Sequence, residues 1–383
     1  MTTRKPNCYC VIDGTFLPML TIDVSLGSNG SLSTVNGSSS LTILATSGID
    51  PYEAGQKDDG AAIDVYMGFG NNPIRVFSGV LDDFDFDPGN DKIDFCGRDN
   101  AAALADTKQT TSALNYKNQT VGQIVTQIAN MFGYTPMVTE PGTLAGPNLW
   151  DSSAYMPHGQ EYWSMLQELA RGCGYECFVT NKNELFFGPS DKAAGTAITV
   201  THAPDPTQGN ANNIITNLKM KYQPRRNSNI EVNVISYHPI RGQTVKGIAR
   251  TIAPTGGAGR KSANAFIGKS GKGIQGAKSG GTKPSAKPIV VKRMDGLTQE
   301  DADLRAQAMA KDIAKRQIII SGKVEGIPEA QIHSSLKLKK GKIFLFNFES
   351  KDYIISTVDH HYDMETGYST KLTALTQPEI SAN

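Results

Sequence analysis

Between Cys8 and Asp99, apolar and polar residues alternate in short runs. Cys8–Ile12, Leu20–Leu26, Ser40–Ala45, Ala62–Tyr66, Arg75–Phe84 and Lys92–Cys96 read as half-buried strands separated by clusters of Gly, Asn, Asp and Pro. Strands at this spacing predict a small barrel or sandwich, with Gly27–Ser40 and Gly48–Gly60 as its longer loops. Asp99–Asp106 reads as a helical turn leaving that module. The period then becomes helical. Val121, Ile124, Val125, Ile128 and Phe132 share one face, with Thr120 as N-cap and Gly133 just past the end. A second helix is expected over about Gln160–Arg171, with Tyr162, Met165, Leu166 and Leu169 inward and Gly172 as its stop. A hairpin follows, Glu176–Thr180 and Glu184–Phe187 around Asn181-Lys182-Asn183.

Strand patterning returns at Asn213–Tyr222 and Asn229–Tyr237. After it comes a Gly-, Lys- and Ser-rich stretch with almost no apolar residue. Thr298-Gln299-Glu300-Asp301 then opens a helix whose buried stripe is Ala302, Ala306, Met309, Ala310 and Ile313. Further strands are expected at Ile318–Lys323, Leu336–Leu338, Lys342–Phe348, Tyr353–Val358 and Ser369–Leu375. The chain therefore divides into a β-module at 1–106, an α+β unit at 107–205, and a second β-module at 206–252 and 288–383. The second module contains the helix 298–316, and residues 253–287 form a flexible Gly/Lys-rich arm within it. The two β-modules share an echo. Residues 76–99 and 354–376 both read as strand, turn and returning strand, and Ser78/Ser356, Val80/Val358, Phe84/Tyr362 and Asp85/Asp363 align without a gap.

Composition narrows the function classes. The 383 residues carry a net charge of +1, which predicts no overall attraction to nucleic acid or membrane. That average hides an asymmetry: residues 1–106 are acidic, whereas Arg241 to Arg293 includes many Lys and Arg and no acid. No apolar run is long enough to span a membrane, and no apolar segment follows Arg4 and Lys5 as a secretory signal would require. Five cysteines do not make a disulfide framework, so folding in a reducing host cytoplasm is expected.

Several phrases together resemble the baseplate hub proteins of contractile-tailed bacteriophages. These are the late control D-type proteins, related to the N-terminal part of type VI secretion spike proteins. The phrases are Phe77-Ser78-Gly79-Val80 leading to Phe95-Cys96-Gly97-Arg98-Asp99, then Asn118-Gln119-Thr120-Val121 with Ala129-Asn130-Met131-Phe132-Gly133. Next are Glu161 to Ala170 with Gly174-Tyr175-Glu176, and Tyr353 to His360 before Gly367 to Leu372. The arm has no dependable counterpart, and Ser356 stands where such proteins often have Gly. The resemblance implies a mainly β fold with an α+β insert: two tube-protein-like β-barrel domains, a small α+β domain and a basic flexible arm. It implies a non-enzymatic virion protein without cofactor, a homotrimeric, pseudo-six-fold ring. Its partners would be the tail tube protein, the central spike protein and other baseplate proteins, with DNA and the tape-measure protein passing through. Interface strands are then expected around Phe77, Val80, Phe84, Phe86, Ile355, Val358 and Tyr362. Lys261, Lys269, Lys272, Lys278 and Lys283 of the arm are expected to touch DNA or a neighbouring subunit.

Other readings of the same residues are weaker. The acids Asp83, Asp85, Asp87, Asp91 and Asp94 have roughly calcium-loop spacing, but Pro88 stands where Gly is needed and Phe84/Phe86 alternate as in a strand. Cys8/Cys10 and Cys173/Cys177 have the wrong spacing for a zinc knuckle. His360 and His361 are adjacent in a strand and point to opposite faces. Glu161 and Glu168 are ordinary acids of an amphipathic helix, and Trp163 beside Tyr162 fits a core. A receptor- or carbohydrate-binding virion protein would show clustered exposed aromatics. A cell-wall hydrolase would show a convergent carboxylate pair.

Overall fold

The computed structural model describes residues 5–27, 31–50, 60–109, 119–141, 159–190, 192–193, 195–202, 214–223, 227, 229–238, 242–252, 289–294, 297–339, 353–377 and 380–382. The first module contributes β1 (Pro6–Ile12), β2 (Thr15–Pro18), β3 (Thr21–Gly27), β4 (Thr34–Ser39), β5 (Ala62–Phe69), β6 (Ile74–Asp87) and β7 (Lys92–Asp99), with α1 (Leu41–Ser47) between β4 and β5. Alternation sets the faces: Ile22, Val24 and Leu26 of β3 are buried while Asp23 and Ser25 are exposed.

Ser40–Ala45, expected as a strand, is the helix α1, and the expected loop before it contains β4. The reason lies at both helix ends. Ser40 is the N-cap, accepting from the Ile43 amide, and Gly48 closes the helix in the left-handed region at φ 80°. Asp91, remote in sequence, also accepts from the Ser40 hydroxyl at 2.6 Å and the Thr42 amide at 2.9 Å.

The α+β unit contains α2 (Ala102–Asp106), α3 (Val121–Met131), β8 (Thr135–Val138), α4 (Tyr162–Cys173), β9 (Glu176–Val179) and β10 (Glu184–Gly188). Thr120 and Gln123 form a reciprocal capping box, and Ile124, Val125 and Ile128 are fully buried. The second helix ends at Gly174 and not at Gly172; Gly174 adopts φ 70° whereas Gly172 lies within α4. Buried Trp163, Met165, Leu166, Leu185 and Phe187 build a core separate from that of the β-modules.

The second module begins with β11 (Ile198–His202) and β12 (Ile214–Tyr222). It is then interrupted by β13 (Glu231–His238), β14 (Gln243–Thr251), β15 (Ile289–Arg293) and α5 (Gln299–Lys315). It resumes with β16 (Ile318–Glu325), β17 (Ser335–Lys339), β18 (Tyr353–Asp363) and β19 (Gly367–Thr376), and β20 (Ile380–Ala382) closes the chain's described elements. The interrupting strands form their own sheet, β15-β13-β14-β20. Against it lies α5, whose Ala302, Ala306 and Ala310 stripe leaves room for close approach. A Cβ on Gly247 would strike the Ala302 carbonyl, so only glycine admits this helix. The expected strand Lys342–Phe348 lies outside the described residues.

Both β-modules belong to one 13-stranded sheet, ordered β17-β11-β12-β16-β19-β18-β3-β4-β7-β6-β5-β1-β2. A further ladder between β17 and β18 closes six of these strands into a ring. A single hydrophobic cluster runs through both modules, from Cys8 to Ala374. The strand β11, which lies within 107–205, pairs with β12 and β17 in this sheet.

Candidate functional site

The two echoed segments are both antiparallel hairpins, β6 with β7 and β18 with β19. Their surroundings repeat as well. Spatially, β3-β4-β7-β6-β5 in the first module matches β12-β16-β19-β18-β17 in the second, and every neighbouring pair is antiparallel. The interrupting sheet and α5 sit between the counterparts of β3 and β4. One detail repeats that no sequence alignment reveals. Gly37 on β4 faces Phe95, and a Cβ there would sit 2.6 Å from the ring. Gly326, just past β16, donates its amide to the Tyr368 carbonyl, and a Cβ there would strike the Tyr368 ring.

The modules join where β18 pairs with β3, from Thr357 opposite Gly27 to Asp363 opposite Thr21. Across this joint the Ser25 hydroxyl donates to Asp359 at 3.1 Å, and His361 lies 2.6 Å from Asp23. The solvent face of the continuous sheet is richer in lysine on the second module, beside Glu325 and Asp359, and richer in aspartate on the first, beside Lys92. Lys219, Lys221, Lys323 and Lys371 stand on the second module, and Asp23, Asp83, Asp85 and Asp94 on the first.

His360 faces inward. It is fully buried, and burial holds its pKa down to about 4. The Ala330 carbonyl, 3.2 Å from Nε2, accepts only, so Nε2 carries the proton. Nδ1 then accepts from the Tyr368 hydroxyl at 2.8 Å. This polar core group escaped the sequence reading; the nearby Tyr368 and Thr370 were its only local signal. In the first hairpin the aligned residue is Asp82, exposed and forked onto Arg98. Arg98 also takes both oxygens of Asp106 at 2.8 and 2.9 Å. Asp99 next to it is half-buried, and its carboxylate accepts from the Ser33 and Ala101 amides at 2.7 and 3.0 Å. Desolvation nevertheless pushes the Asp99 carboxyl up. The Gly97-Arg98-Asp99 exit thus ties β7 to β6, α2 and the start of β4.

The expected interface residues fall into three groups. Phe77, Ile355 and Val358 are fully buried in the shared core. Val80, Phe84 and Tyr362 are half-buried, the last two against that core. Phe86 is 47% exposed at the end of β6. Lys261, Lys269, Lys272, Lys278 and Lys283 lie outside the described residues. The acids between Asp83 and Asp94 sit on strands and a short 3-10 turn, where Asp87 accepts from the Asn90 amide. Cys8 and Cys10 lie in the shared core and Cys173 and Cys177 in that of the α+β unit, so the two pairs do not converge. Burial pushes the Cys8 thiol up to about 11. Trp163 is buried, and Glu161 caps α4 while accepting from the Ser164 hydroxyl at 3.1 Å. Among the described residues no three His, Cys, Asp or Glu side chains cluster as metal ligands, and no helix is long and apolar enough to cross a membrane.

The α+β unit is fastened to both modules. Arg75 on β6 donates to the Asn181 carbonyl at 2.7 Å, and the Asn181 amide group returns to the Val76 carbonyl at 3.0 Å. Phe178 stacks on His333 just before β17, with centroids 4.8 Å apart. Lys315 of α5 and Glu176 of β9 form a largely buried pair at 2.6 Å.

The sequence matches no protein-family model and no curated protein. Solved structures do match. A tail protein from Neisseria meningitidis superposes with a TM-score of 0.67 at 12% identity, covering 97% of this chain and 96% of that one. The 43 kDa tail protein of prophage MuSo2 from Shewanella oneidensis gives 0.61 at 14% identity, covering 98% and 100%. This chain has the fold of phage tail proteins. The tail-protein fold also matches, at TM-score 0.54 and 12% identity, an Escherichia coli component of the type VI secretion system described as similar to bacteriophage tail proteins. That match covers 96% of this chain and 76% of the other. In the tail-protein fold seen here, the α+β unit and the interrupting sheet occupy one end of the large sheet. The two hairpin turns occupy the other.

Proposed function

We propose that this chain is the structural hub of a contractile tail baseplate. Three copies form a ring in which each contributes two tube-like modules, so that a three-fold assembly imitates six-fold symmetry. One end of the ring takes the tail tube, the other the central spike, and DNA and the tape-measure protein pass through the lumen. The basic arm at 253–287 contacts either that DNA or the acidic first module of a neighbouring copy.

The observation carrying this reading is the five-strand repeat joined into one sheet by β3 and β18. Two like modules related by an edge-to-edge joint are a third of what a closed ring of six needs, and three copies supply the whole. The function rests on shape and assembly and not on a reaction centre. The shared fold with tail proteins supports a virion location and association with other tail components.

Electron microscopy of the purified protein, alone and with its spike protein, tests the proposal. A three-fold ring with six similar inner lobes and a lumen wide enough for duplex DNA is expected. Monomers at high concentration in both samples would overturn it. Clearing of a peptidoglycan suspension by the isolated chain would contradict the non-enzymatic part of the reading.

A further inference from the structure

The sequence alignment of the two hairpins continues past Asp85/Asp363, to the last residues of β6 in one module and into the turn after β18 in the other. Asp85-Phe86-Asp87 corresponds to Asp363-Met364-Glu365, an acid, a large apolar residue and an acid in each module. Phe86 is 47% exposed and Met364 is 71% exposed. Among the described residues they are the only exposed large apolar side chains that occupy matching positions of the repeat.

Both tips are held rigidly. In the first, Asp87 accepts from the Asn90 amide and side chain, and Asp91 is bound to the N-terminus of α1. In the second, Asp363 accepts from the Glu365 and Thr366 amides at 2.9 and 2.8 Å, and the Met364 amide donates to the Leu20 carbonyl at 3.0 Å. These hydrogen bonds keep the Asp87 and Asp363 carboxyls below the usual carboxylate range, so both are charged at neutral pH.

The tips also share one level. A transverse row of strand partners runs from Asp363 to Thr21, Ser38, Asp94 and Asp85. Four strand spacings therefore separate the two acids, about 19 Å along the hydrogen-bonding direction. At the opposite end the modules differ. There the α+β unit meets the start of β6, and the interrupting sheet leaves from the end of β12. One end of the sheet thus carries the hairpin turns of both modules, with α1 beside the first, and the other end is unlike in the two modules.

We propose that Phe86 and Met364, with their flanking acids, are equivalent docking points for a six-fold protein ring, the end of the tail tube. That partner would repeat an apolar socket bordered by Lys or Arg around its face. Exposed apolar groups in a polar rim mark interaction sites, and their repetition within one chain fits a partner of doubled symmetry. The trimeric spike, by the same symmetry, is assigned to the unlike end. This inference rests on the hub reading above.

The test uses the full-length protein, tail tubes from the same particle and the spike protein. Phe86→Ser, Met364→Ser and the double variant are compared in tube co-sedimentation, with trimerisation followed by native mass spectrometry and folding by thermal melts. Each single change should weaken tube binding about tenfold and the double change more than either. Trimer formation, melting and spike binding should stay as in the wild type. Phe86→Asp with Met364→Asp serves as a second, harsher pair. If the wild-type trimer binds tubes and both double variants bind equally well, the tips are not the docking points while the hub stands. Loss of spike binding in place of tube binding overturns the assignment of ends. A wild-type chain that neither trimerises nor binds tubes removes the hub reading and this inference together.

Discussion

The two modules build the same five-strand arrangement with different means of holding it. In the first, the strands from β3 to β7 follow one another in sequence, α1 being the helix described between β4 and β5, and the long hairpin is braced by surface ions. Arg98 bridges Asp82 and Asp106, and Asp91 secures α1. In the second, a whole sheet and α5 intervene between β12 and β16, and a ladder from β17 to β18 closes the ring. There an internal brace is added to the surface pair of Lys371 and Asp359: buried His360 holds Tyr368 and the Ala330 turn. The comparison separates what the repeated role requires from what each module does for its own stability. The strand order, the glycine beside an aromatic ring and the exposed tips recur. The braces do not.

The largest expected effect tests whether the modules are one folding unit. Phe77 and Ile355 occupy matching positions and are both fully buried in the shared cluster. Phe77→Ala should cost about 3–5 kcal/mol and Ile355→Ala about 2–5 kcal/mol. Because the sheet is continuous, each should lower the same single denaturant transition. Two transitions, only one of them moved by each variant, would show that the joint between β3 and β18 does not couple the modules.

Acid should distinguish the braces next. The folded chain keeps His360 neutral down to about pH 4, whereas in the unfolded chain the imidazole binds a proton below about 6.5. Stability from this group is therefore complete above that unfolded value and is lost as pH falls towards 4, by about 3 kcal/mol. Denaturation curves at pH 7 and pH 5 should show part of that loss, and His360→Gln should flatten the difference. An unchanged slope in the variant would assign the acid sensitivity elsewhere.

Gly37→Ala and Gly326→Ala sharpen the comparison at a feature the modules share. Each added methyl meets an aromatic ring, so each should cost about 1–3 kcal/mol by thermal melting. Gly326 should cost more, since the Tyr368 hydroxyl is tied to His360 and its ring has less freedom to shift. The smallest effect is expected at the surface brace: Arg98→Met should cost about 1 kcal/mol or less and the difference should shrink in high salt. A loss several times larger would mean that the ion cluster carries the first hairpin as His360 carries the second.

Much of the architecture was legible from local pattern. Alternation located β1, β3, β5, β6 and β7, helical spacing with Thr120 and Thr298 located α3 and α5, and the echo was a true pair of hairpins. The errors have local causes too. In Ser40–Ala45 the run Leu41, Ile43, Ala45 mimics strand alternation, while the helix depends on Asp91, about fifty residues away in sequence. The short strands β2 and β8 carry too few apolar positions to declare a period, and Ile289-Val290-Val291 of β15 is an unbroken run without alternation. Of the candidate residues, Phe86 stands exposed, but Phe77, Ile355 and Val358 were indistinguishable from it by type. Burial separates them, and burial depends on which sheets face each other.

The amino-acid sequence by itself determined the mainly β character, the α+β insert, the helix caps and the presence of a repeated hairpin, because these follow from neighbours a few residues apart. Tertiary structure alone decided that β3 and β18 make two modules one sheet, and that His360 lies inside while His361 faces Asp23. It also decided that Phe86 and Met364 stand at one level of the same edge. Each of those outcomes turns on strand register between segments up to about 340 residues apart. A one-residue change of register would exchange the faces, and short-range pattern carries no record of it.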